Sequence, residues 1–194
     1  RKSLNIYIFI FITLVIALIY VESIKKKPVN WFPAYTAKHK LPYGTFVLYN
    51  QLPNLFPNIK IKQVNQPPYL FLKDSLVNGT YIFINEAINF DKAELNSILN
   101  FVAKGNDVFI STHGVNIDTL QLETKQLINA NLDKKPIFKL SNKAFKGKEF
   151  SFDKPFYNTI FKEVDTLKTT VLGITAYLNK NNKRTSQGVN FISY

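Results

Sequence analysis

The first hydrophobic pattern along the chain is an unbroken apolar run over residues 4 to 21, "LNIYIFIFITLVIALIYV", which contains no charged side chain. A helix of this length spans about 27 Å at about 1.5 Å per residue, close to the thickness of a bilayer's hydrocarbon core. Tyr7 and Tyr20 lie near the two ends, where aromatic side chains favour the membrane interface. The run predicts one N-terminal transmembrane helix within residues 1 to 24, in contact with the lipid bilayer through residues 4 to 21.

The alternative for this run is a cleaved signal peptide. The apolar part is long for a signal peptide, and "YVESIKKK" follows it in place of a small-x-small cleavage site, which favours an uncleaved anchor. Arg1 and Lys2 precede the span and Lys25, Lys26 and Lys27 follow it, so the count of nearby basic residues favours a cytoplasmic position for the rest of the chain. The two counts are too close to decide the topology.

A strand, a helix and a second strand are predicted between residues 79 and 111. The first strand, "GTYIFINEA" (79 to 87), is β-branched and aromatic, as buried strands are. Asp91 and Glu94 have the spacing of a capping box, and Gly105 is a helix stop signal. The second strand is "DVFIS" (107 to 111), and the short links predict a right-handed βαβ unit with parallel strands. The helix between them has one apolar stripe, formed by Leu95, Ile98, Leu99 and Val102.

The remaining segments have weaker patterns. Residues 25 to 40 contain Pro28 and Pro33 and predict an extended connector. A short helix broken around Pro53 is expected in residues 41 to 57. An edge-like strand is expected at 58 to 64 and a helix at 117 to 129, followed by strands of more antiparallel character in "PIFKLSN", "KEFSFD", "TTVLGITAYL" and "GVNFISY". The predicted organisation is an anchor (1 to 24), a connector (25 to 40) and an α/β domain (41 to 194) that we expect to be truncated at its C-terminus.

Composition narrows the chemistry that the chain offers. The 194 residues include no cysteine, so a disulfide framework, a thiolate zinc site and a cysteine nucleophile are all excluded. The net charge is +12, but only two of the basic residues are arginines. Phosphate and base recognition favour arginine, so a basic surface near lipid is preferred to nucleic-acid binding. No cofactor is predicted.

Three segments together resemble a known family. The apolar N-terminal span, "PYGTFVLYNQL" and "YIFINEAINFDKAELNSILNFVAKGNDVFIS" are similar to the bacterial membrane proteins classed as domain of unknown function 4350, in a Bacteroidetes-like form. The resemblance covers residues 4 to 115 well and the remainder loosely. It implies a three-layer α/β domain with a parallel-sheet core, of the class I glutamine-amidotransferase-like or flavodoxin-like kind, lying between membrane spans.

The resemblance also implies a cellular localisation and a class of partner. The family is often encoded beside MoxR-type ATPases, which implies a membrane or envelope protein partner. It implies a single pass of the bacterial inner membrane in this sequence, with the domain on the periplasmic side, and another transmembrane helix in a missing C-terminal part. The charge count near the span favours the opposite side.

Catalytic residues of an amidotransferase are hard to find here. Enzymes of that fold carry their nucleophile on a Gly-x-Cys-x-Gly turn after a strand, and the corresponding stretch is "ISTHG". Thr112 takes the place of the cysteine and Ile110 that of the first glycine. A hydroxyl nucleophile needs a base, yet no histidine follows His113, and the other histidine is His39 in the connector. The sequence therefore leans away from an enzyme, and no catalytic residue is assigned.

Polar residues nevertheless follow both strands of the predicted parallel pair. Ligands of open parallel sheets bind beyond the carboxyl ends of the strands. We therefore treat these residues as a candidate pocket for a small ligand or a partner loop, while solvated loop ends and helix caps are the alternative. A metal is not predicted, because only Glu86, Asp118 and Glu123 accompany His113 as possible ligands and no HxH or HExxH pattern is present. The candidate pocket comprises Asn85, Glu86, Ser111, Thr112, His113 and Gly114.

Two functions remain open at this point. The preferred one is a membrane-tethered, non-catalytic interaction or ligand-sensing module in a bacterial envelope complex, linked to a MoxR-type ATPase system. The alternative is a hydrolase or transferase with an atypical site around Glu86 and His113.

Overall fold

The computed structural model of the chain describes residues 2–73, 78–127, 135–151, 158–178 and 184–194. It divides into two units, Arg1–Asn58 and Ile59–Tyr194. The predicted boundaries after residues 24 and 40 both fall inside the first unit.

The first unit begins with helix α1 (Lys2–Ile24). Its segment Leu4–Ile24 has a mean hydropathy of 2.6 and no buried residue, so this helix is long and apolar enough to cross a membrane. A membrane anchor and a signal sequence are both compatible with such a helix. The chain then runs without regular secondary structure to α2 (Phe46–Leu55). The predicted short helix is confirmed, and it continues through Pro53 for two residues rather than breaking there.

The βαβ segment of the second unit agrees closely with the sequence pattern. Helix α3 (Pro68–Leu72) is followed by β1 (Thr80–Ile84), α4 (Lys92–Ala103) and β2 (Asp107–Ser111). Strands β1 and β2 pair in parallel over their whole length, from Thr80↔Asp107 to Ile84↔Ser111. The predicted parallel pair is confirmed.

Local side-chain chemistry explains why α4 begins and ends where it does. The Asp91 carboxylate accepts a hydrogen bond from the Glu94 N–H at 2.8 Å, and the Glu94 carboxylate accepts one from the Asp91 N–H at 3.1 Å. This is the predicted capping box. Gly105 ends the helix with a φ of +87°, which glycine adopts without steric cost. Asn106 is buried beside it, accepting from the Gly79 N–H and donating to the Phe101 carbonyl, and so ties the helix end to the start of β1.

The rest of the second unit corrects the predicted fold class. Strands β3 (Asn116–Ile117), β4 (Leu122–Leu127) and β7 (Asn158–Phe161) form an antiparallel sheet in the order β3-β4-β7. Strands β5 (Lys135–Leu140), β6 (Phe150–Ser151), β8 (Thr170–Leu178) and β9 (Arg184–Ser193) form a second antiparallel sheet in the order β6-β5-β8-β9. Among the described residues the parallel sheet has only the two strands β1 and β2. The expectation of a three-layer parallel-sheet core is therefore wrong.

Two local predictions fail together with the fold class. Residues 58 to 64 form no strand, and the helix expected at 117 to 129 is a single 3-10 turn (Asp118–Leu120) followed by β4. Gln121 has a left-handed φ of +54°, which ends the turn and starts the strand. The later strands predicted from "PIFKLSN", "KEFSFD", "TTVLGITAYL" and "GVNFISY" are confirmed as β5, β6, β8 and β9.

A buried polar junction connects the two antiparallel sheets. The Asn158 side-chain amide on β7 donates to the Thr175 hydroxyl on β8 at 2.6 Å, and that hydroxyl donates to the Ile137 carbonyl on β5 at 3.1 Å. The backbone N–H of Asn158 donates to the Tyr177 hydroxyl at 3.0 Å. Thr175 is fully buried, so its hydrogen bonds are made in a low-dielectric interior where losing one is costly.

A glycine allows β9 to approach the same junction. A Cβ on Gly188 would lie 2.6 Å from the Ile160 Cδ1 atom, a distance at which one of the two must move. Ile160 is itself buried on β7. The close contact of β9 with β7 therefore depends on the absence of a side chain at position 188.

Candidate functional site

The predicted strand-end residues lie next to each other in the structure. The Asn85 N–H donates to the Ser111 carbonyl at 3.1 Å, and the His113 N–H donates to the Glu86 carbonyl at 3.0 Å. The Thr112 hydroxyl donates to the same Glu86 carbonyl at 2.9 Å, with a longer contact of 3.4 Å to the Gly114 carbonyl. These bonds continue the β1–β2 pairing beyond the two strands.

The bonds of this cluster are mainly made by backbone atoms. The Thr112 hydroxyl contacts two carbonyl oxygens, so its proton is engaged by the backbone and the hydroxyl holds the loop in place. The residues Asn85, Glu86, Ser111 and His113 are exposed. Among the residues that the structure describes, no group of three or more His, Asp or Glu side chains could hold a metal ion. The chemistry that this arrangement supports is hydrogen bonding to a partner from an exposed loop pair.

A groove lies beside the C-terminal half of α4, away from the candidate pocket. A crossover helix runs antiparallel to its strands, so the C-terminal half of α4 is far from the carboxyl ends of β1 and β2. The groove has a volume of about 310 Å³ and does not include any residue of the candidate pocket. It is lined by Leu72, Lys73, Ser97, Asn100, Ala103 and Lys104.

One face of the parallel pair is covered by helices. Leu72, Ile98 and Phe101 from α3 and α4 form a buried cluster, against which Tyr81 and Val108 of the sheet pack. Further along, the rings of Phe83 and Phe90 meet edge to face with centroids 4.9 Å apart. Burial, and to a smaller extent the nearby Glu94 carboxylate, raise the pKa of the Tyr81 phenol above its usual 10.0.

The opposite face of the parallel pair carries two exposed apolar side chains. We call it the bare face; Ile82 and Phe109 lie at its centre as register partners. Ile82 is 42% exposed and Phe109 is 53% exposed. Parallel sheets are normally covered on both faces, so a bare apolar face on such a sheet is a candidate interaction surface. By the alternation of strand residues, the bare face comprises Thr80, Ile82 and Ile84 of β1 and Asp107, Phe109 and Ser111 of β2.

The edges of this small sheet are also available. Within the described part of the chain, β1 pairs only with β2, so each of the two strands has one edge without a strand partner. Unpaired edges present backbone N–H and C=O groups that a further strand can bind. By contrast, the four-stranded sheet ends in the two-residue strand β6 on one side and in the bulged strand β9 on the other.

The bare face was not among the residues singled out from the sequence. The signal was present in "TYIFI" and "DVFIS", where apolar residues occupy both alternating sets of positions. Such runs are typical of strands covered on both faces, whereas helices among the described residues cover one face only.

Comparison with protein-family models, with curated proteins and with solved structures finds no match to this chain. The resemblance to the domain of unknown function 4350 proteins therefore stays a prediction from sequence.

Proposed function

We propose that this protein is a membrane-tethered protein-binding module, in which the bare face of the β1–β2 sheet receives a partner protein. The observation that carries the proposal is the adjacent pair of exposed apolar residues, Ile82 and Phe109, on a parallel sheet. Aromatic residues are enriched at the energetic centres of interfaces, and polar residues are enriched at the rim. Thr80, Asp107 and Ser111 would provide that polar rim.

The tether in this proposal is helix α1, acting as an uncleaved anchor. Its apolar residues are exposed in the protein itself and would be covered by lipid. We place the anchor in a bacterial inner membrane and the second unit on the periplasmic side, in keeping with the family resemblance. The envelope complex and the link to a MoxR-type ATPase belong to the same proposal and rest on that resemblance alone.

The partner is expected to be a different protein rather than a second copy. Each copy carries a net charge of +12, so self-association brings like charges together, whereas a neutral or acidic partner avoids this repulsion. A partner strand on a free edge of β1 or β2 would add backbone hydrogen bonds to the side-chain contacts of the bare face.

Substitution of the two central residues tests the proposal. Ile82→Thr combined with Phe109→Thr removes apolar area while keeping residues that favour strands. Removing a central aromatic contact typically costs about 2 kcal/mol or more, about thirtyfold in affinity. We expect a protein that co-purifies with the full-length chain from mild detergent extracts of its native membranes to be recovered at least about tenfold less with the double variant.

Leu167→Thr is the matched control, because Leu167 is 95% exposed and lies outside the bare face. The control is expected to recover the same protein as the unmodified chain. Equal recovery by the double variant, with its thermal unfolding unchanged, contradicts the proposal. A protein lost from both variants contradicts it as well, since the loss is then not specific to the bare face.

A further inference from the structure

The segment that follows α1 combines positive charge with exposed aromatic rings. Lys25, Lys26 and Lys27 begin directly after the last helical residue, Ile24. All three lysines are exposed, as are Trp31 at 48% and Phe32 at 71%. We call residues 25 to 32 the basic aromatic segment.

The segment ends where the chain begins to fold back on its own unit. From Pro33 to Tyr35 the residues are half-buried, and the Tyr35 N–H donates to the Tyr43 carbonyl at 3.1 Å. The Thr45 N–H donates to the Thr36 carbonyl at 3.0 Å. The exposure of the rings at 31 and 32 is therefore confined to the stretch between the helix and this folded part.

A local hydrogen bond sets the shape of the aromatic pair. The Asn30 side-chain oxygen accepts from the Phe32 N–H at 2.9 Å, across Trp31. Side-chain bonds of this kind stabilise a turn in place of continued helix or strand. Trp31 and Phe32 are adjacent in the sequence, six and seven positions after the first lysine, and this hydrogen bond holds the backbone that carries both rings.

We propose that the basic aromatic segment binds anionic phospholipid headgroups, with Trp31 and Phe32 inserted at the membrane interface. This inference rests on the tether in the proposed function, because α1 must lie in the bilayer. Charge complementarity carries the choice of occupant: the three lysines emerge beside the headgroup layer, where cationic side chains attract anionic lipids of either leaflet. Tryptophan prefers the same layer.

The geometry allows this contact. Trp31 lies seven positions after Ile24, and an extended chain spans at most about 24 Å over seven positions. The interfacial layer on each side of the hydrocarbon core is only about 5 to 8 Å thick. The Trp31 ring therefore lies in the interfacial layer if the segment runs along the membrane surface, and lies outside it if the segment extends into water.

The acidic residue nearest to the lysines does not remove their charge. Glu22 is the one carboxylate among residues 1 to 58, and it pairs with Lys25. Both side chains of the pair are more than half exposed, so the attraction between them is weak in water. Lys26 and Lys27 add two further charges. On an anionic surface the three lysines together raise the ratio of membrane-bound to water-exposed segment by on the order of a hundredfold.

The test uses the fluorescence of Trp31, which is the single tryptophan of the chain. The full chain is reconstituted into vesicles whose lipids carry brominated acyl chains, in one series with phosphatidylglycerol and in another with phosphatidylcholine alone. We expect the bromines to quench Trp31 at least about twofold more strongly in the anionic vesicles. The triple variant Lys25→Gln, Lys26→Gln, Lys27→Gln is expected to lose this difference.

A variant with the same change of charge elsewhere is the control. Lys143, Lys146 and Lys148 are exposed lysines of the second unit, and their replacement by glutamine is expected to leave the quenching unchanged. Equal quenching of the unmodified chain in both lipids overturns the inference, as does the absence of quenching in either. Extraction of the same vesicles at alkaline pH distinguishes failure of the two proposals. If the chain is extracted, both the tether and the lipid contact are refuted. If the chain resists extraction but shows no lipid-dependent quenching, the lipid contact alone is refuted.

Discussion

Replacing Thr175 by valine is expected to lower the free energy of unfolding by about 2 kcal/mol, although the two side chains have nearly the same shape. The Thr175 hydroxyl accepts from the Asn158 amide at 2.6 Å and donates to the Ile137 carbonyl at 3.1 Å. Valine makes neither bond, and Asn158 is too deeply buried for water to replace the lost partner. Thermal unfolding of the full chain in detergent should show a midpoint roughly 6 °C lower.

Thr170→Val is the control for this change, since Thr170 lies on the same strand but is exposed. It should alter the free energy of unfolding by no more than about 0.5 kcal/mol. An equal effect of the two substitutions would show that the polar junction between the antiparallel sheets contributes nothing specific to stability.

Charges placed in the middle of α1 are expected to release the protein from the membrane. Leu14→Arg combined with Leu18→Arg raises the free energy of insertion by about 6 kcal/mol, taking about 3 kcal/mol for each substitution. The unmodified chain should remain in the membrane pellet after alkaline extraction, and the double variant should appear in the soluble fraction. The measurement is an immunoblot of the two fractions with an epitope placed before Lys2.

Leu14→Ala combined with Leu18→Ala controls for the loss of the leucines, because alanine keeps the run uncharged and helical. This variant should stay in the pellet. The epitope also distinguishes an anchor from a signal sequence. A shortened product in the soluble fraction, detected by an antibody against the second unit but not through the epitope, would contradict the proposed anchor.

The βαβ segment could be predicted from the sequence because its determinants are local. The capping box of Asp91 and Glu94 and the helix stop at Gly105 lie within one helix length of each other. Parallel pairing of β1 and β2 follows from the helical crossover α4 that connects them. The adjacency of the candidate pocket residues follows in turn from that pairing, because the carboxyl ends of paired parallel strands lie side by side.

The remainder could not be predicted because it depends on contacts between distant segments. Two parallel strands do not indicate how many more follow. The resemblance to an amidotransferase-like family implied further parallel strands, which the described residues do not form. The apolar positions of "IDTLQLETKQLIN" fit a helix, while "LETK" within it alternates as a strand does. Pairing of β4 with β7, more than thirty residues away, decides between them.

The bare face escaped prediction for the same reason. Local sequence indicates that β1 and β2 have apolar residues on both faces, and α3 and α4 cover one of them. Only the packing of the later strands determines whether the other face is covered as well. Those strands form their own two sheets and leave Ile82 and Phe109 exposed. The candidate site therefore moves from the polar strand ends to the adjacent apolar face.

Site-specific photo-crosslinking at position 109 in native membranes tests the protein-binding role most directly. The photoreactive residue p-benzoylphenylalanine replaces Phe109 in one chain and Leu167 in another, and both are irradiated in intact cells. The result expected is a light-dependent adduct of one discrete protein with position 109 and no such adduct with position 167. Equal labelling from both positions, an adduct of two copies of this chain, or no adduct from position 109 would contradict the proposed role of the bare face.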